Sequence, residues 1–192
     1  FFNHLFDIWY GTDTHSWEPD QLNCDNENLF YMASWGKDIR NSMKKLSDFL
    51  KDDISKYCLF DLGSGKGKVL IHWKKMFPLH NAIIGIEFDK KLVNICKNNI
   101  GKLKLDNINI ICADAKKIKL KKNNKNIFFM SNPFGDLTIK KFFQRNCGEV
   151  DYLIYHNPVC KQTIDELGFH LLYQYQSYRS SSSYNIYIRK NT

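Results

Sequence analysis

The pattern of apolar and polar positions predicts short buried strands that alternate with helices. Apolar runs predict strands at residues 57–62, 81–88, 108–112, 127–130 and 152–155. Between these runs, apolar residues that recur every three or four positions predict helices at residues 69–77, 90–100 and 137–143. Strands that are apolar throughout and are separated by helices are typical of a parallel sheet covered on both faces. The sequence therefore predicts an α/β fold.

The two ends of the chain differ from this alternation. Residues 169–175 and 184–189 are strand-like runs whose connection contains the polar stretch 179–183. Such a pair predicts an antiparallel hairpin added to a mostly parallel sheet. Towards the N-terminus, a helix is predicted from residue 37, where the apolar residues that share one face are Ile39, Met43, Leu46, Phe49 and Leu50.

Residues 1–36 are rich in aromatic side chains but show no steady helical or strand period. The aromatic residues are Phe1, Phe2, Phe6, Trp9, Tyr10, Trp17, Phe30, Tyr31 and Trp35. We expect this segment to be an extension that packs onto a single domain spanning residues 37–192. A chain of 192 residues is long enough for one α/β domain and short for two.

The net charge of +8 would suit a surface that binds nucleic acid phosphates. Much of the excess, however, lies in stretches such as residues 121–125, which read Lys-Lys-Asn-Asn-Lys and also suit solvated loops. A nucleic acid partner is therefore an open alternative that the sequence does not favour. No apolar run approaches the length of about 18 residues that a membrane span needs, so no membrane partner is expected.

The six cysteines form no CxxC pair, and Cys58, Cys96 and Cys112 fall within apolar segments. We therefore expect reduced core thiols in a cytoplasmic protein, and neither a disulfide framework nor a zinc site. The histidines show no spacing typical of metal ligands, so no metal is expected.

A glycine-rich stretch follows the first predicted strand and opens the next helix. Residues 61–67 read D-L-G-S-G-K-G, with glycines at Gly63, Gly65 and Gly67. Glycine allows a sharp turn and a close approach of a ligand to the backbone, and we expect Asp61 to brace the turn by accepting backbone N–H bonds. The third glycine comes one residue too early for the dinucleotide pattern G-x-G-x-x-G, which disfavours a nicotinamide oxidoreductase. A tight turn without a ligand is the other interpretation.

Acidic residues follow the next two strands. Glu87 ends the second strand, where a carboxylate can accept the hydroxyls of a ribose, and Asp114 follows the third strand. Together with Asp61 they place an acid at the ends of three successive strands. This arrangement indicates a nucleoside-containing ligand.

These motifs resemble a group of small bacterial-type class I methyltransferases that use S-adenosylmethionine. The matching stretches are Y-G-T-D-T at residues 10–14, the glycine loop, I-G-I-E-F at 84–88, S-N-P-F-G at 131–135 and Y-H-N-P at 155–158. The resemblance implies a Rossmann-like, mostly parallel seven-stranded sheet with a C-terminal antiparallel hairpin. It also implies that S-adenosyl-L-methionine is the cofactor and S-adenosyl-L-homocysteine the product.

The resemblance assigns the cofactor site residue by residue. The glycine loop would pass beside the amino-acid portion of the cofactor, Asp114 would bind the adenine amino group, and Tyr10, Thr12 and Thr14 would reach the carboxylate or amine. The full set of cofactor-binding candidates is Tyr10, Thr12, Thr14, Tyr31, Asp61, Gly63, Ser64, Gly65, Gly67, Glu87, Asp114, Ala115 and Asn132.

The acceptor side is predicted at Asn132-Pro133-Phe134, after the fourth strand. In amino-group methyltransferases the related pattern is D/N-P-P-Y/F, but the second proline is missing here, which puts adenine, cytosine or glutamine targets in doubt. The alternative is a simple Asn-Pro turn. Candidate general bases are Asp13, His15 and His156. The acceptor stays open between a small molecule, a glycan and a protein side chain, and the alternative function is methylation or binding of RNA.

Overall fold

The computed structural model describes residues 2–16, 31–50, 53–120 and 125–189. Its strands are β1 (Tyr57–Leu62), β2 (Ile83–Glu87), β3 (Ile108–Cys112), β4 (Lys125–Ser131), β5 (Tyr152–His156), β6 (Phe169–Tyr175) and β7 (Tyr184–Arg189). The helices are α1 (Phe2–Tyr10), α2 (Gly36–Ser47), α3 (Lys68–Met76), α4 (Lys90–Lys102), α5 (Asp136–Arg145) and α6 (Lys161–Glu166). Short 3-10 turns lie at Ile54–Lys56, Cys147–Glu149 and Ser180–Ser182.

The strands form one seven-stranded sheet in the order β3-β2-β1-β4-β5-β7-β6. Strands β1 to β5 are parallel, and β7 is antiparallel to both β5 and β6. The predicted α/β class, the mostly parallel sheet and the C-terminal hairpin are confirmed. Strand order reverses at β1, which lies between β2 and β4, and ligands of open α/β sheets bind at the carboxyl ends of the strands beside such a switch point.

Side-chain alternation along the strands builds a separate apolar core on each face of the sheet. Leu59 and Ile83 belong to the cluster that includes Trp73 of α3, whereas Phe128 belongs to the cluster that includes Phe142 of α5. Residues two apart on a strand share a face, so the side chains of Asp61 and Glu87 point towards the face covered by α2, α3 and α4.

Several predicted boundaries differ from the structure. Helix α2 ends at Ser47, which leaves Phe49 37% exposed beyond it. Helix α1 lies in the region where no helix was predicted, although Phe2, Leu5, Phe6 and Trp9 recur at spacings of three and four. Ile8 and Trp9 are 72% and 82% exposed. Helix α6 was not predicted.

The expectation of core thiols is wrong for Cys112, which is exposed because it ends the edge strand β3; Cys96 is buried as expected. Trp17, Cys24, Phe30 and Lys121 lie outside the described residues, and the domain boundary after residue 36 stays a prediction. Over the described ranges, no helix is both long and apolar enough to cross a membrane.

Candidate active site

The glycine loop turns through backbone conformations that favour glycine. The φ angles of Gly63, Gly65 and Gly67 are +73°, +50° and +83°, all in the left-handed region. Each glycine also has a close neighbour on the side where a Cβ would lie. That neighbour is Pro133 at Gly63, the ring of Tyr31 at Gly65 and the thiol of Cys96 at Gly67. Sterics and backbone conformation therefore both require glycine at these positions.

The second strand, and not Asp61, braces this loop. The backbone N–H groups of Gly63 and Ser64 donate to the carbonyl of Ile86 at 2.9 and 3.1 Å. The N–H of Gly65 donates to Oε2 of Glu87 at 2.9 Å. The other carboxylate oxygen of Glu87 accepts the N–H groups of Phe88 and Asp89. Because Glu87 is 7% exposed, burial raises its pKa, and these three N–H donors partly offset that shift.

Asp61 differs from the predicted brace. It is 2% exposed, and its Oδ2 has no hydrogen-bond partner in the described part of the chain. Burial raises the pKa of Asp61 well above its usual value, and the nearby carboxylate of Glu87 raises it further. A buried carboxylate oxygen without a donor is costly, so Asp61 marks a place where a donor group is missing.

The ends of β1, β2 and β3 bring Asp61, Glu87 and Asp114 to one edge of the sheet. Glu87 is paired with Cys112 in the sheet register, and the N–H of Ala113 donates to the carbonyl of Glu87 at 2.9 Å. Asp114 is partly exposed and its Oδ1 accepts the N–H of Lys116 at 2.8 Å. Ala115 is buried beside it.

Asp7 of α1 organises the Y-G-T-D-T segment. Its Oδ1 accepts the hydroxyls of Thr12 and Thr14 at 2.7 and 2.8 Å, and both its oxygens accept the N–H of Thr14 at 3.0 Å. The hydroxyl of Tyr31 donates to the carbonyl of Thr14 at 2.7 Å. The threonine hydroxyls that were predicted to reach the cofactor therefore donate to Asp7. No role for Asp7 was predicted from the sequence.

Lys66 of the loop anchors this segment. Its side chain is fully buried, and its Nζ contacts both carboxylate oxygens of Asp13 and the carbonyl of Ser16 at 2.9 to 3.1 Å. The amide of Asn99 in α4 accepts the N–H of Asp13 and donates to the carbonyls of Asp13 and Lys66. Both motifs were among the stretches that carry the resemblance, but no local sequence signal indicated that their side chains meet.

Two predicted cofactor contacts point elsewhere. Nζ of Lys75 lies 3.2 Å above the centre of the Tyr10 ring, which places Tyr10 against the last turn of α3, away from the glycine loop. The hydroxyl of Ser64 lies 2.7 Å from where a Cβ on Gly85 would stand, so it faces β2. The remaining predicted loop residues and Tyr31 are brought together.

The Asn132-Pro133-Phe134 motif contacts the glycine loop through its proline. Pro133 Cβ lies 2.5 Å from the place of a Cβ on Gly63. Oδ1 of Asn132 accepts the hydroxyl of Tyr155 at 3.2 Å. Phe134 is 8% exposed and belongs to the core cluster with Phe142, so its ring is a core residue and not an open stacking surface for an acceptor.

Two Asn-Pro turns stand side by side at this edge. Asn132 and Asn157 have φ angles of 46° and 47°, although a residue that precedes proline normally adopts an extended conformation. They follow Ser131 and His156, which are partners in the β4–β5 register. Strained backbone of this kind concentrates at functional sites. The second turn, Asn157-Pro158, was noted in the sequence but no role was predicted for it.

The structure argues against the candidate bases. Nε2 of His156 lies 2.8 Å from the Ser42 hydroxyl, and complete burial lowers the pKa of His156 to about 3. Burial also lowers the pKa of His15. Burial alone would raise the pKa of Asp13, but hydrogen bonds from Ser16 and Lys66 lower it overall. His156 and Asp13 therefore bind a proton too weakly near pH 7 to act as good general bases.

A cavity of about 320 Å³ opens at the same edge, between the start of α2 and the β6–β7 connection. Tyr184 in its wall pairs with His156 at the carboxyl end of β5. The lining combines aromatic and charged groups and consists of Trp35, Lys37, Asp38, Asn41, Tyr175, Ser177, Arg179, Ser182 and Tyr184. In the described ranges, no three His, Cys, Asp or Glu residues are grouped to hold a metal ion.

Comparisons with known proteins identify the fold. A family model described as "Putative methyltransferase" matches residues 55–136, less than half of the chain, and a comparison with curated proteins found no significant match. The chain is similar to the pyocyanin biosynthetic protein PhzM (10% identity, TM-score 0.60), covering 78% of this chain but only 54% of PhzM.

Two further solved structures cover most of both chains. One is the magnesium protoporphyrin IX methyltransferase of Synechocystis PCC 6803, solved with bound S-adenosylmethionine. It is 13% identical to this chain, with a TM-score of 0.59, and the alignment covers 81% of this chain and 79% of the methyltransferase. A putative RNA methyltransferase from Pyrococcus horikoshii is 18% identical with a TM-score of 0.56 and covers 80% and 82%. This chain therefore has the fold of class I S-adenosylmethionine-dependent methyltransferases, with a methyltransferase family match over its glycine loop and the strands around it.

Proposed function

We propose that this chain binds S-adenosylmethionine and transfers its methyl group to an acceptor. The observation that carries the proposal is the buried carboxyl group of Asp61, whose Oδ2 has no hydrogen-bond partner among the described residues; it lies beside the glycine loop and Glu87 at the switch point of the sheet. An ammonium group supplies the donors that Asp61 lacks, and the amino-acid portion of S-adenosylmethionine carries one.

The other strand-end residues suit the nucleoside portion. Oε2 of Glu87 accepts only the N–H of Gly65 among its described contacts, so it keeps capacity for a ribose hydroxyl. Asp114 and the buried Ala115 follow the neighbouring strand and would contact the adenine. The turn at Gly63 and Gly65 would let the backbone approach the cofactor, and Tyr31 covers Gly65 from outside.

The cofactor would supply an activated methyl group on a sulfonium, so the protein's task is to place the acceptor. Placement in line with the reacting bond can provide much of the rate enhancement. We assign that task to Asn132 and Pro133, because Pro133 packs directly on the glycine loop. Phe134 would support them from the core. With His156 and Asp13 unsuited to accept a proton, the proposal includes no general base.

The first experiment is a thermal shift series with S-adenosylhomocysteine, NAD and ATP at equal concentrations. A ligand that binds only the folded chain raises its melting temperature, by an amount that grows with its concentration over Kd. We expect a rise with S-adenosylhomocysteine alone. A rise with NAD alone would replace the proposal with an oxidoreductase, and no rise with any of the three would support a fold that no longer binds cofactor.

The acceptor is left open by the fold. The three similar structures act, by their names, in pyocyanin biosynthesis, on magnesium protoporphyrin IX and on RNA. Incubation of the protein with a cell extract and S-adenosylmethionine carrying a tritiated methyl group would show which fraction gains label. Our main proposal expects label in small molecules, glycans or protein.

RNA is the second candidate acceptor, and the cavity beside α2 is the observation that favours it. Trp35 and Tyr175 are 37% and 41% exposed in its wall, next to Lys37 and Arg179. Aromatic faces that stack on bases, combined with basic side chains, are typical of single-stranded nucleic acid binding. Label that is released by ribonuclease and not by protease would establish this alternative.

A further inference from the structure

Most polar side chains around the glycine loop already have partners within the protein. Thr12 and Thr14 donate to Asp7, and Lys66 pairs with Asp13. Two charged groups are exceptions. Asp61 has an oxygen without a donor, and Nζ of Lys68, seven residues later, has no hydrogen-bond partner in the described chain.

The surroundings of Lys68 are unusual for an ammonium without a hydrogen-bond partner. It is only 3% exposed, and burial lowers its pKa to about 8 against the opposing influence of Asp7. Asp7 lies near enough to influence the pKa of Lys68, but no hydrogen bond joins their side chains in the described chain, and the Asp7 carboxylate accepts bonds from Thr12 and Thr14 instead. A buried ion without a partner costs several kcal/mol, so the fold tolerates Lys68 at a price in stability.

The position of Lys68 within α3 adds to this cost. Lys68 is the first residue of the helix, its N-cap is Gly67 without a side-chain cap, and the first turn carries no acid. The N-terminus of a helix favours anions and disfavours cations. The helix end and the lysine therefore both favour an anion near the start of α3. His15 also lies close by, since Lys68 lowers its pKa, and Nδ1 of His15 is a second buried nitrogen without a partner.

We propose that Lys68 binds the carboxylate of the amino-acid portion of S-adenosylmethionine, at the N-terminus of α3. This assignment rests on the function proposed above and would give both unpartnered atoms a partner on one ligand: Oδ2 of Asp61 would accept from the ammonium, and Nζ of Lys68 would donate to the carboxylate. This assignment replaces the role first predicted for Thr12 and Thr14, whose hydroxyls hold Asp7 and so shape the wall of this subsite.

The test compares two ligands that differ only in this carboxylate, S-adenosylmethionine and decarboxylated S-adenosylmethionine, by calorimetry. We expect the wild-type chain to prefer the first by about 10- to 100-fold, the range for hydrogen bonds to a charged group. In Lys68→Met the two affinities should converge, while Lys68→Arg should keep part of the preference.

The matched control is Lys75→Met. Lys75 lies on the same face of α3 two turns later and contacts Tyr10, far from the loop. This variant should retain the wild-type preference between the two ligands.

The outcomes separate this inference from the proposed function. If the wild-type chain binds neither ligand, the proposed function fails and the inference fails with it. If it binds both equally well, or if Lys68→Met still prefers the carboxylate-bearing ligand, the role of Lys68 is overturned while cofactor binding stands. Where Lys68→Met does not fold, equal affinities of the wild-type chain for the two ligands would still overturn the role of Lys68, and Lys68→Arg with a reduced preference would support it.

Discussion

The ammonium of Lys66 lies 2.9 Å from Oδ2 of Asp13, a residue 53 positions earlier in the chain. This pair joins the N-terminal Y-G-T-D-T segment to the centre of the glycine loop. The two side chains differ in environment, since Lys66 is fully buried whereas the Asp13 side chain is 43% exposed. The loop on which cofactor binding would depend is therefore held from both sides, by Glu87 and by the N-terminal segment.

Removing Asp13 should lower the free energy of unfolding more than removing Lys66. Asp13→Asn removes the charge that faces a buried ammonium, and removing one partner of a buried pair costs up to about 3–5 kcal/mol. Lys66→Met leaves a carboxylate that water can reach, so it should cost clearly less. The double variant should resemble Lys66→Met. Urea unfolding of the four proteins measures this; equal losses from the two single variants would contradict the asymmetry.

Gly65→Ala should lower the stability of the protein more than an alanine substitution at another left-handed glycine, Gly168. A Cβ at Gly65 would overlap the ring of Tyr31, whereas Gly168, with φ +81°, has nothing within 4 Å of the added atom. Gly168→Ala should therefore cost only the left-handed penalty of about 1–2 kcal/mol.

Gly65→Ala adds the steric conflict to that penalty. It should also weaken S-adenosylhomocysteine binding in calorimetry, which Gly168→Ala should leave unchanged. Equal melting temperatures and equal affinities in the two variants would show that Gly65 has no role beyond the turn.

Glu87→Ala should weaken the binding of S-adenosylhomocysteine by about 1.5–3 kcal/mol, the range for hydrogen bonds to a charged group. The structure adds a second effect, since the same variant removes the acceptor for the N–H of Gly65. Glu87→Gln keeps one oxygen for the N–H of Gly65 but turns its NH₂ towards the N–H groups of Phe88 and Asp89, so it should retain only part of the stability while still losing affinity. A change in affinity of only a few tenths of a kcal/mol in both variants would exclude Glu87 from the cofactor site.

How far the sequence predicts this structure depends on the range of the interaction concerned. Buried strands and the glycine turn are local patterns, and they were predicted with small errors at the ends. The pairing of Lys66 with Asp13 depends on tertiary contact between distant segments, so a lysine in a loop gave no sign of complete burial. Helix α1 was missed although its apolar residues have helical spacing, because the many aromatic residues on both sides of it obscure that short pattern.

The acceptor edge was the least predictable part. The sequence indicated a turn at Asn132, but a residue before proline is expected to be extended, and both Asn132 and Asn157 are left-handed. Phe134 looked available for stacking by analogy with a motif, yet the packing around α5 places it in the core. The conformations of Asn132 and Asn157 and the burial of Phe134 depend on contacts between the ends of neighbouring strands. A single sequence motif does not contain that information.

The buried histidines should make the protein less stable in acid. Burial lowers the folded-state pKa of His156 and of His72 to about 3, from an unfolded value of about 6.5. Between pH 6.5 and 3 the unfolded chain therefore binds more protons at these two histidines than the folded chain does. The free energy of unfolding consequently falls as the pH falls through this window, and above pH 6.5 the two histidines have no effect on it.

Each such histidine contributes a slope of up to about 1.4 kcal/mol per pH unit. His156→Gln should remove one of them, which urea unfolding at pH 5 and 7 would measure as a smaller difference than in wild type. Asp61 and Glu87, whose pKa values are raised, act in the opposite sense and are common to both proteins. An identical pH slope in the variant would show that His156 titrates normally in the folded chain.

Asn132 should be needed for turnover and dispensable for cofactor binding. Its side chain accepts the Tyr155 hydroxyl, and its backbone holds a left-handed φ of 46° that directs Pro133 onto the glycine loop. Asn132→Ala removes the amide and also strains the backbone, whereas Asn132→Gly removes the amide and keeps the turn. The pair therefore separates a side-chain role from a backbone role.

If the amide orients the acceptor, both variants should lose most incorporation of tritiated methyl groups while the Kd for S-adenosylhomocysteine stays within a few fold, because an interaction with the acceptor acts on turnover and not on cofactor affinity. If only the turn matters, Asn132→Gly should retain activity and Asn132→Ala should lose it. Full activity in both variants, or a folded Asn132→Gly that cannot bind S-adenosylhomocysteine, would show that Asn132 does not belong to the acceptor side. Because Asn132 and Asn157 follow paired residues of β4 and β5, Asn157→Gly is the matched control for loss of an amide at the same edge.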